Sequence, residues 1–465
     1  MTTLTAPLRD TTSKWQSLRA AVSGRLVTPE DADWHAVRTP WVVNVDQQPA
    51  AILECADAAD VVAAVRWAAA HRHPISAQHR GHAARTTLDG ALLLRMRRLD
   101  AIDISRRTAT VGAGVNWGEL LARLDDTGLV ALAGSNPDPS VVGLVLGGGV
   151  SWFTRKHGFT ANSVVGFDMV DPQGELVRVT RESDPELFWA LRGGGGDFGI
   201  VTAVQLELFP APQLYGGRLL WPIECAAEVL RAFRDLALTA PPELTVWAHL
   251  HHFPPLPAVP EPFRGRSLVT IASTFLGEAT EAERLLAPLR AAAPVEMDLM
   301  GEVSPGTLSR VAGEPTDPTP TLEHSMLLDG LTDDAIDNLV AAFADPATCP
   351  LAMVQLRGLG GRFATSSPTD GAVRAVPEPF QLFALGIPAV PELAAPIRAG
   401  FAAVDDALGR HLTARRMPNF IGEHEDDASG YDRAALERLR TIKRARDPHG
   451  VIRSNKPVLG AVPED

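Results

Sequence analysis

Tyrosine is almost missing from this chain, with 2 residues in 465, and cysteine is scarce, with 3. Cys55, Cys225 and Cys349 are too scattered for a zinc site or a redox pair. No disulfide framework is read, which fits a cytoplasmic setting. The apolar stretches fall well short of a membrane span. The opening MTTLTAPLRDTTSKW has no basic region followed by an apolar core, so no secretory leader is expected. Basic charge is also in deficit: 43 Lys and Arg against 56 Asp and Glu leave −13, which argues against nucleic acid as a partner. Two nucleotide signatures are absent, the G-x-G-x-x-G turn between strand and helix and the phosphate loop ending in Lys-Ser/Thr.

What remains is a chain of mixed texture, long enough for two or three structural units. AILEC, ISAQ, ALLLRM and TATVGAG read as short strands. DAADVVAAVRWAAAHRH reads as a helix, and so does WGELLARLDDTG, with Trp117, Leu120, Leu121 and Leu124 on one face and Gly128 as its C-cap. NSVVGFDMVDPQGELVRVT predicts a hairpin around Pro172–Gly174. After Pro210 the pattern changes: LTVWAHLHHF, SLVTIASTF, LAMVQLRGLG and FQLFALGI alternate like sheet strands, with helical stretches such as TEAERLLAPLRAA between them. The expected class is α+β. A first domain over 1–210 (core about 40–210) precedes an antiparallel-sheet domain over 211–410, followed by a C-terminal segment over 411–465. Its helix carries the basic run RLRTIKRAR, read as a solvated face.

Three glycine-rich loops fall in the first domain, near 78–84, 143–149 and 193–199. Glycine lets main-chain N–H groups converge on a ligand, and such arrays favour phosphate or other anions; ordinary turns are the plainer alternative. The first loop, QHRGHAARTTLDG, spends two of the 13 histidines.

The order RGH, GLVLGGG, LFWALRGGGGDFGIVT resembles the flavin domain of the vanillyl-alcohol-oxidase/p-cresol-methylhydroxylase superfamily, and within it the berberine-bridge-enzyme-like bacterial oxidoreductases. The tail RLRTIKRARDPHGVIRSNKPV is similar to the family's usual ending. The resemblance implies FAD, with its pyrophosphate on the 78–84 main chain, the flavin near the second domain, and His82 as the residue bonded to the flavin 8α carbon. It assigns Gln78, His79, Arg80, Gly81 and Ala83 to the first cofactor loop, His79 as a neighbour of the pyrophosphate without a catalytic role. Ser135, Pro139, Gly143, Leu144, Gly147 and Gly148 fall in the second, Gly195, Asp197, Gly199, Ile200 and Val201 in the third, and Asn419 and Asn455 in the C-terminal segment. A second tether in relatives comes from a cysteine at the place of Asn136, so a single histidyl link is expected. Pro139–Ser140 replaces the usual small residue and glycine that control oxygen access.

Oxidation of an alcohol or amine needs a hydride acceptor and a base for the other proton. The Tyr-x-Asn motif of relatives is here Met417-Pro-Asn419, so its tyrosine is missing. His251 and His249 share one strand face and are the candidate bases. Ordinary sheet residues and metal ligands are the other readings, and no third ligand is evident, so no metal is expected. Glu423 and His424 are weaker alternatives. The aromatics Phe188, Trp189 and Phe198 read as core. The family implies two-electron oxidation of a small organic molecule, a secondary metabolite in high-GC bacteria, with O2 as acceptor. A non-redox cyclase or isomerase using flavin as scaffold, and a flavin-free binding protein, are the rival readings.

Overall fold

The computed structural model describes residues 11–422 and 425–460, so Glu423 and His424 lie outside the described residues. The first unit is built on two sheets. In one, β1 (Arg25–Val27), β2 (Ala51–Glu54), β3 (Ile75–Ala77) and β4 (Leu92–Arg95) lie in the order β1-β2-β4-β3; β2 and β3 run parallel to β4. The crossover is the helix Ala58–His71, capped by the Asp57 side chain and stopped by Arg72 at φ +48. Further along come β5 (Ile102–Ser105), β6 (Thr108–Gly112), β7 (Leu129–Val130), β8 (Val164–Val170), β9 (Leu176–Val179), β10 (Ile200–Glu207) and β11 (Phe209–Pro210). β5-β6-β10-β8-β9 form an antiparallel sheet, and β11 pairs with β7. The expected hairpin is β8–β9.

The second sheet-bearing unit contains β12 (Leu214–Pro222), β13 (Leu244–His252), β14 (Ser267–Leu276), β15 (Met297–Asp298), β16 (Gly301–Glu302), β17 (Leu322–Leu328), β18 (Met353–Gly358) and β19 (Phe380–Gly386). Their order is β15-β12-β14-β13-β18-β19-β17, with β16 also on β12. One face is apolar. Val246, Ala248 and Leu250 of β13 share a buried cluster with residues of the helices Ala226–Thr239, Ala279–Ala292, Asp333–Phe343 and Ala394–Leu408. The other face turns toward the first unit, where Trp247 stacks on Trp152 with centroids 3.8 Å apart. Strand alternation therefore sorts the two histidines from the third. His249 and His251 lie on the inward face, and His252 points to the helices, where its Nε2 meets Phe343 O at 2.8 Å.

Three local expectations change. The helix at Trp117 ends at Ala122 with Arg123 as cap, so Gly128 belongs to the following turn. The GLVLGGG segment is half helix: Val141–Leu146 forms one because Ser140 Oγ accepts the Gly143 N–H at 2.9 Å. The basic run is not all solvated. Lys443 is 4% exposed, and its Nζ donates to Asp447 Oδ2 (2.8 Å), Asp197 O (2.7 Å) and Ile452 O (2.6 Å). Phe188 and Phe198 are buried and Trp189 packs against the same core.

Candidate active site

The 78–84 loop leaves β3 and turns at Gly81, whose φ is +87. A Cβ there would sit 2.6 Å from Gln78 Nε2 and 2.7 Å from the Pro40 side chain, so the turn admits only glycine. Trp41 N donates to Arg80 O at 2.8 Å and fixes the loop from outside. Gln78 is turned away from the loop, paired reciprocally with Gln47 at 2.9 and 3.1 Å. Its side chain thus braces the loop from behind.

His82 stacks on Trp41 at 4.2 Å, and its Nε2 lies 2.8 Å from Asp138 Oδ2. Asp138 Oδ1 is held by Arg80 at 2.6 Å. A carboxylate oxygen accepts, so Nε2 is the donor in this pair and Nδ1 is the ring nitrogen turned away from Asp138. His79 Nε2 meets Asn116 Oδ1 at 2.7 Å, and burial pushes its imidazole below the usual range.

The second and third glycine loops meet. Gly195 N donates to Leu146 O at 2.9 Å, and Asn419 bridges the 143–149 loop, its Oδ1 accepting from Gly149 N at 2.7 Å and its Nδ2 donating to Leu144 O at 3.3 Å. Ser135 is buried, and Pro139 O accepts from Trp117 N. Gly148 and Gly195 have φ of +103 and +88, and a Cβ on Gly195 would meet nothing within 4 Å. Ile200 and Val201 are buried at the start of β10, registered with Val170 and Met169. Asp197 sits behind its loop: its carboxylate accepts from Ser454 N (3.3 Å) and Val458 N (2.6 Å), and burial raises its pKa. It pins the C-terminal segment. Asn455 Nδ2 then donates to Ala83 O at 2.8 Å, closing the ring of segments back onto the first loop.

The segments fit a polar cofactor. His79 Nδ1, Ser454 Oγ and Asn455 Oδ1 are buried without a partner among the described residues. Buried polar atoms are nearly always satisfied, so orphans gathered on glycine-lined loops mark where a polar ligand belongs.

Across from these loops stands the polar face of the large sheet. Register aligns Trp247 with Arg357 and His249 with Gln355 on β13–β18, and Arg357 with Gln381 and Gln355 with Phe383 on β18–β19. Gln355 Nε2 donates to His249 Nε2, and Gln355 Oε1 accepts from Arg357 Nε. His249 and His251 stack at 5.3 Å. Burial lowers both imidazoles, His251 to about 3, so they stay neutral and are weak proton acceptors.

Two groups that sequence reasoning missed lie here. Glu323 of β17 is exposed by its surface area, although protein atoms crowd round its carboxyl, and that carboxyl has no hydrogen-bond donor among the described residues. Its surroundings push it up to about 7, chiefly through desolvation, with Lys456 and Arg357 pulling the other way. Lys456 Nζ donates to Pro418 O at 2.5 Å, and burial lowers it to about 7. Neither tyrosine stands free: Tyr215 OH is bonded to Glu283 and Tyr431 OH to Gly193 O. Met417 is 2% exposed in an apolar cluster with Val150 and Phe363. Among the described residues no group of three or more His, Cys, Asp or Glu could hold a metal ion, and no helix is long and apolar enough to cross a membrane.

A family model described as an FAD binding domain matches residues 49–180. (R)-6-hydroxynicotine oxidase of Paenarthrobacter nicotinovorans is 32% identical over 206 residues, 43% of this chain and 45% of that protein. Glucooligosaccharide oxidase of Sarocladium strictum is 30% identical over 271 residues, 56% of this chain and 52% of that protein. The chain thus spans about half the length of the curated relatives it matches. The structure of wild-type BBE-like 1 from Physcomitrella patens superposes with a TM-score of 0.82 at 19% identity, covering 96% of this chain and 99% of that one. Residues 49–180 thus carry an FAD binding domain, and the fold over nearly the whole chain is that of the BBE-like 1 structure.

Proposed function

We propose that the protein is an FAD-dependent oxidoreductase that oxidises a small organic molecule by two electrons, with its flavin tethered once, through His82. The observation that carries this reading is the His82–Asp138 contact of 2.8 Å on a glycine turn inside the FAD binding domain. Asp138 fixes the tautomer and aims Nδ1 away from itself, leaving that nitrogen as the attachment atom. Asn136 stands where a second tether would come from, and its Nδ2 instead donates to Pro315 O at 2.9 Å. Bound FAD supplies the two-electron acceptor, with O2 to regenerate it.

The chain's own residues do the rest. The glycine loops present main-chain donors at no side-chain cost, and Asn419 and Asp197 hold those loops in place. Substrate lies against the polar sheet face. There Glu323 takes the substrate proton, since its carboxyl is unpaired and its pKa is raised toward neutrality. The histidines assigned to that task by sequence act as supports: His249 holds Gln355, and His251 stacks behind it. A cytoplasmic enzyme of secondary metabolism fits the composition.

The test is an absorption spectrum of purified protein before and after acid precipitation, with His82→Ala beside it. Yellow colour retained in the wild-type pellet and released from the variant is the expected result. Yellow supernatant from both would remove the tether and keep the flavoprotein. Incubation with FAD that leaves both proteins colourless would overturn the reading.

A further inference from the structure

Among the described residues, the buried arginines spend their guanidinium groups on the chain itself, with one exception. Arg85 binds Asp427 and the carbonyls of Ile421 and Gly422. Arg155 is taken by the carbonyls of Ala237, Leu359 and Ala240, and Arg192 by those of Phe188, Thr369 and Asp370. Arg95 reaches the carbonyls of Gln78, His79, Val37 and Arg38. Arg357 is 5% exposed, and only its Nε is engaged, by Gln355 Oε1. Its two terminal nitrogens donate to no acceptor among the described residues, and no carboxylate among them comes within 4.0 Å.

Its supports are neutral and rigid. The guanidinium carbon lies 4.2 Å from the Trp247 ring centroid and 4.8 Å from that of Phe420. Gln355 is fixed in turn by His249. Aromatic faces hold a cation in place without occupying its donor fork. Burying a charge without a counter-ion is costly, so a guanidinium oriented this firmly and left open at its end is built for an anion that arrives with a ligand. Burial lowers the pKa of Arg357 to about 10, and the charges of Glu314 and Glu323 work against that without forming an ion pair with it.

We propose that Arg357 anchors a carboxylate of the substrate, so that this enzyme oxidises an organic acid, with the acid group on Arg357 and the reacting carbon within reach of Glu323. The planar fork matches a carboxylate bidentately. Phe383 and Phe420, 5.8 Å apart and edge to face, supply an apolar wall for the rest of the molecule. The proposal rests on the oxidoreductase reading above, but its test is a binding measurement that does not require turnover.

Titration calorimetry of the purified protein with benzoate and with its neutral isostere benzamide is the experiment. Benzoate is expected to bind at least about tenfold more tightly, the scale of one charge-assisted pair. Arg357→Met should abolish the difference, and Arg357→Lys should keep part of it, since the charge survives and the fork does not. Equal affinities for the two probes in the wild type would overturn the proposal, whether or not the variants fold. So would a benzoate preference that survives in Arg357→Met. The visible flavin band of the same samples reports separately on FAD: colourless protein that prefers benzoate would sink the oxidoreductase reading, and yellow protein without preference would sink only this one.

Discussion

The two walls of the site are made of different material. The proposed cofactor wall is main chain: Gly81, Gly148 and Gly195 at positive φ, with side chains such as Gln78, Asp197 and Asn419 bracing the loops from behind. The proposed substrate wall is side chain: His249 of β13, Gln355 and Arg357 of β18, and Glu323 of β17, all on one sheet. A main-chain site is fixed by where no Cβ fits and by the buried ties behind it. A sheet-face site is fixed by register, and its chemistry can change one residue at a time with the backbone left alone.

The sharpest way to break the first wall is from behind. Lys443→Met leaves Asp447, the Asp197 carbonyl and the Ile452 carbonyl without their shared donor in a buried place. The expected loss is about 3–5 kcal/mol, seen as a large fall in denaturation midpoint together with loss of bound FAD. A variant that keeps both would show that the C-terminal segment does not support the cradle. On the second wall the same boldness should cost chemistry and not folding. Glu323→Gln preserves shape, so stability should hold while the substrate-dependent rate of flavin bleaching falls about 10²-fold. In the wild type that rate should rise with pH through about 7, because the carboxylate form accepts the proton. A pH profile unchanged in the variant would take Glu323 out of the reaction.

This difference in material also explains what could be read in advance. Glycine motifs spell out main-chain turns, so the three loops were legible, and alternation showed the strands AILEC, ISAQ, ALLLRM and TATVGAG, but not their order in the sheets. The alternation of LTVWAHLHHF placed His249 and His251 together, and they do share the inward face. It could not show that Gln355 takes up His249, because that follows from pairing with β18, over a hundred residues away. Arg357 and Glu323 stayed hidden for the same reason, and β17 and β12 were not recognised as strands at all. In LYGGRLLWP two glycines interrupt the β pattern, and only their neighbours explain them: Ser273 O leaves no room for a Cβ at Gly216, and Leu299 O and Met300 leave none at Gly217. Lys443 was concealed by its company, since five arginines surround it in RLRTIKRARDPHGVIR.

A smaller perturbation separates backbone cost from ligand cost within the cradle. Gly195 and Gly90 both have positive φ, +88 and +72, and a Cβ on either would meet nothing within 4 Å. Alanine at each should therefore cost the same backbone strain, about 1–2 kcal/mol. The open space at Gly195 lies on the glycine loop and that at Gly90 in a turn before β4. Gly195→Ala alone should lower FAD content, measured as the ratio of visible to protein absorbance. Equal FAD content in the two variants would show that the space at Gly195 is not the cofactor's.

The smallest expected effect tests how the substrate wall is tied at its edge. His324 follows Glu323 on β17 and faces elsewhere, its Nε2 2.9 Å from Asp405 Oδ1 and its Nδ1 3.2 Å from Glu425 Oε1. Burial alone would lower the imidazole; its two carboxylate partners outweigh that and raise it to about 9. A group whose pKa is higher folded than unfolded stabilises the fold fully below its unfolded value, near about 6.5, and loses that contribution as pH rises through about 9. The wild type should thus lose about 1 kcal/mol more than His324→Gln between pH 6.5 and 9, because partly exposed partners screen the pair. Denaturation midpoints of the two proteins should converge across that window. Parallel curves would mean that His324 is neutral in the folded protein, and that the edge of the sheet is held by Arg416, 3.2 Å from the same Glu425 oxygen.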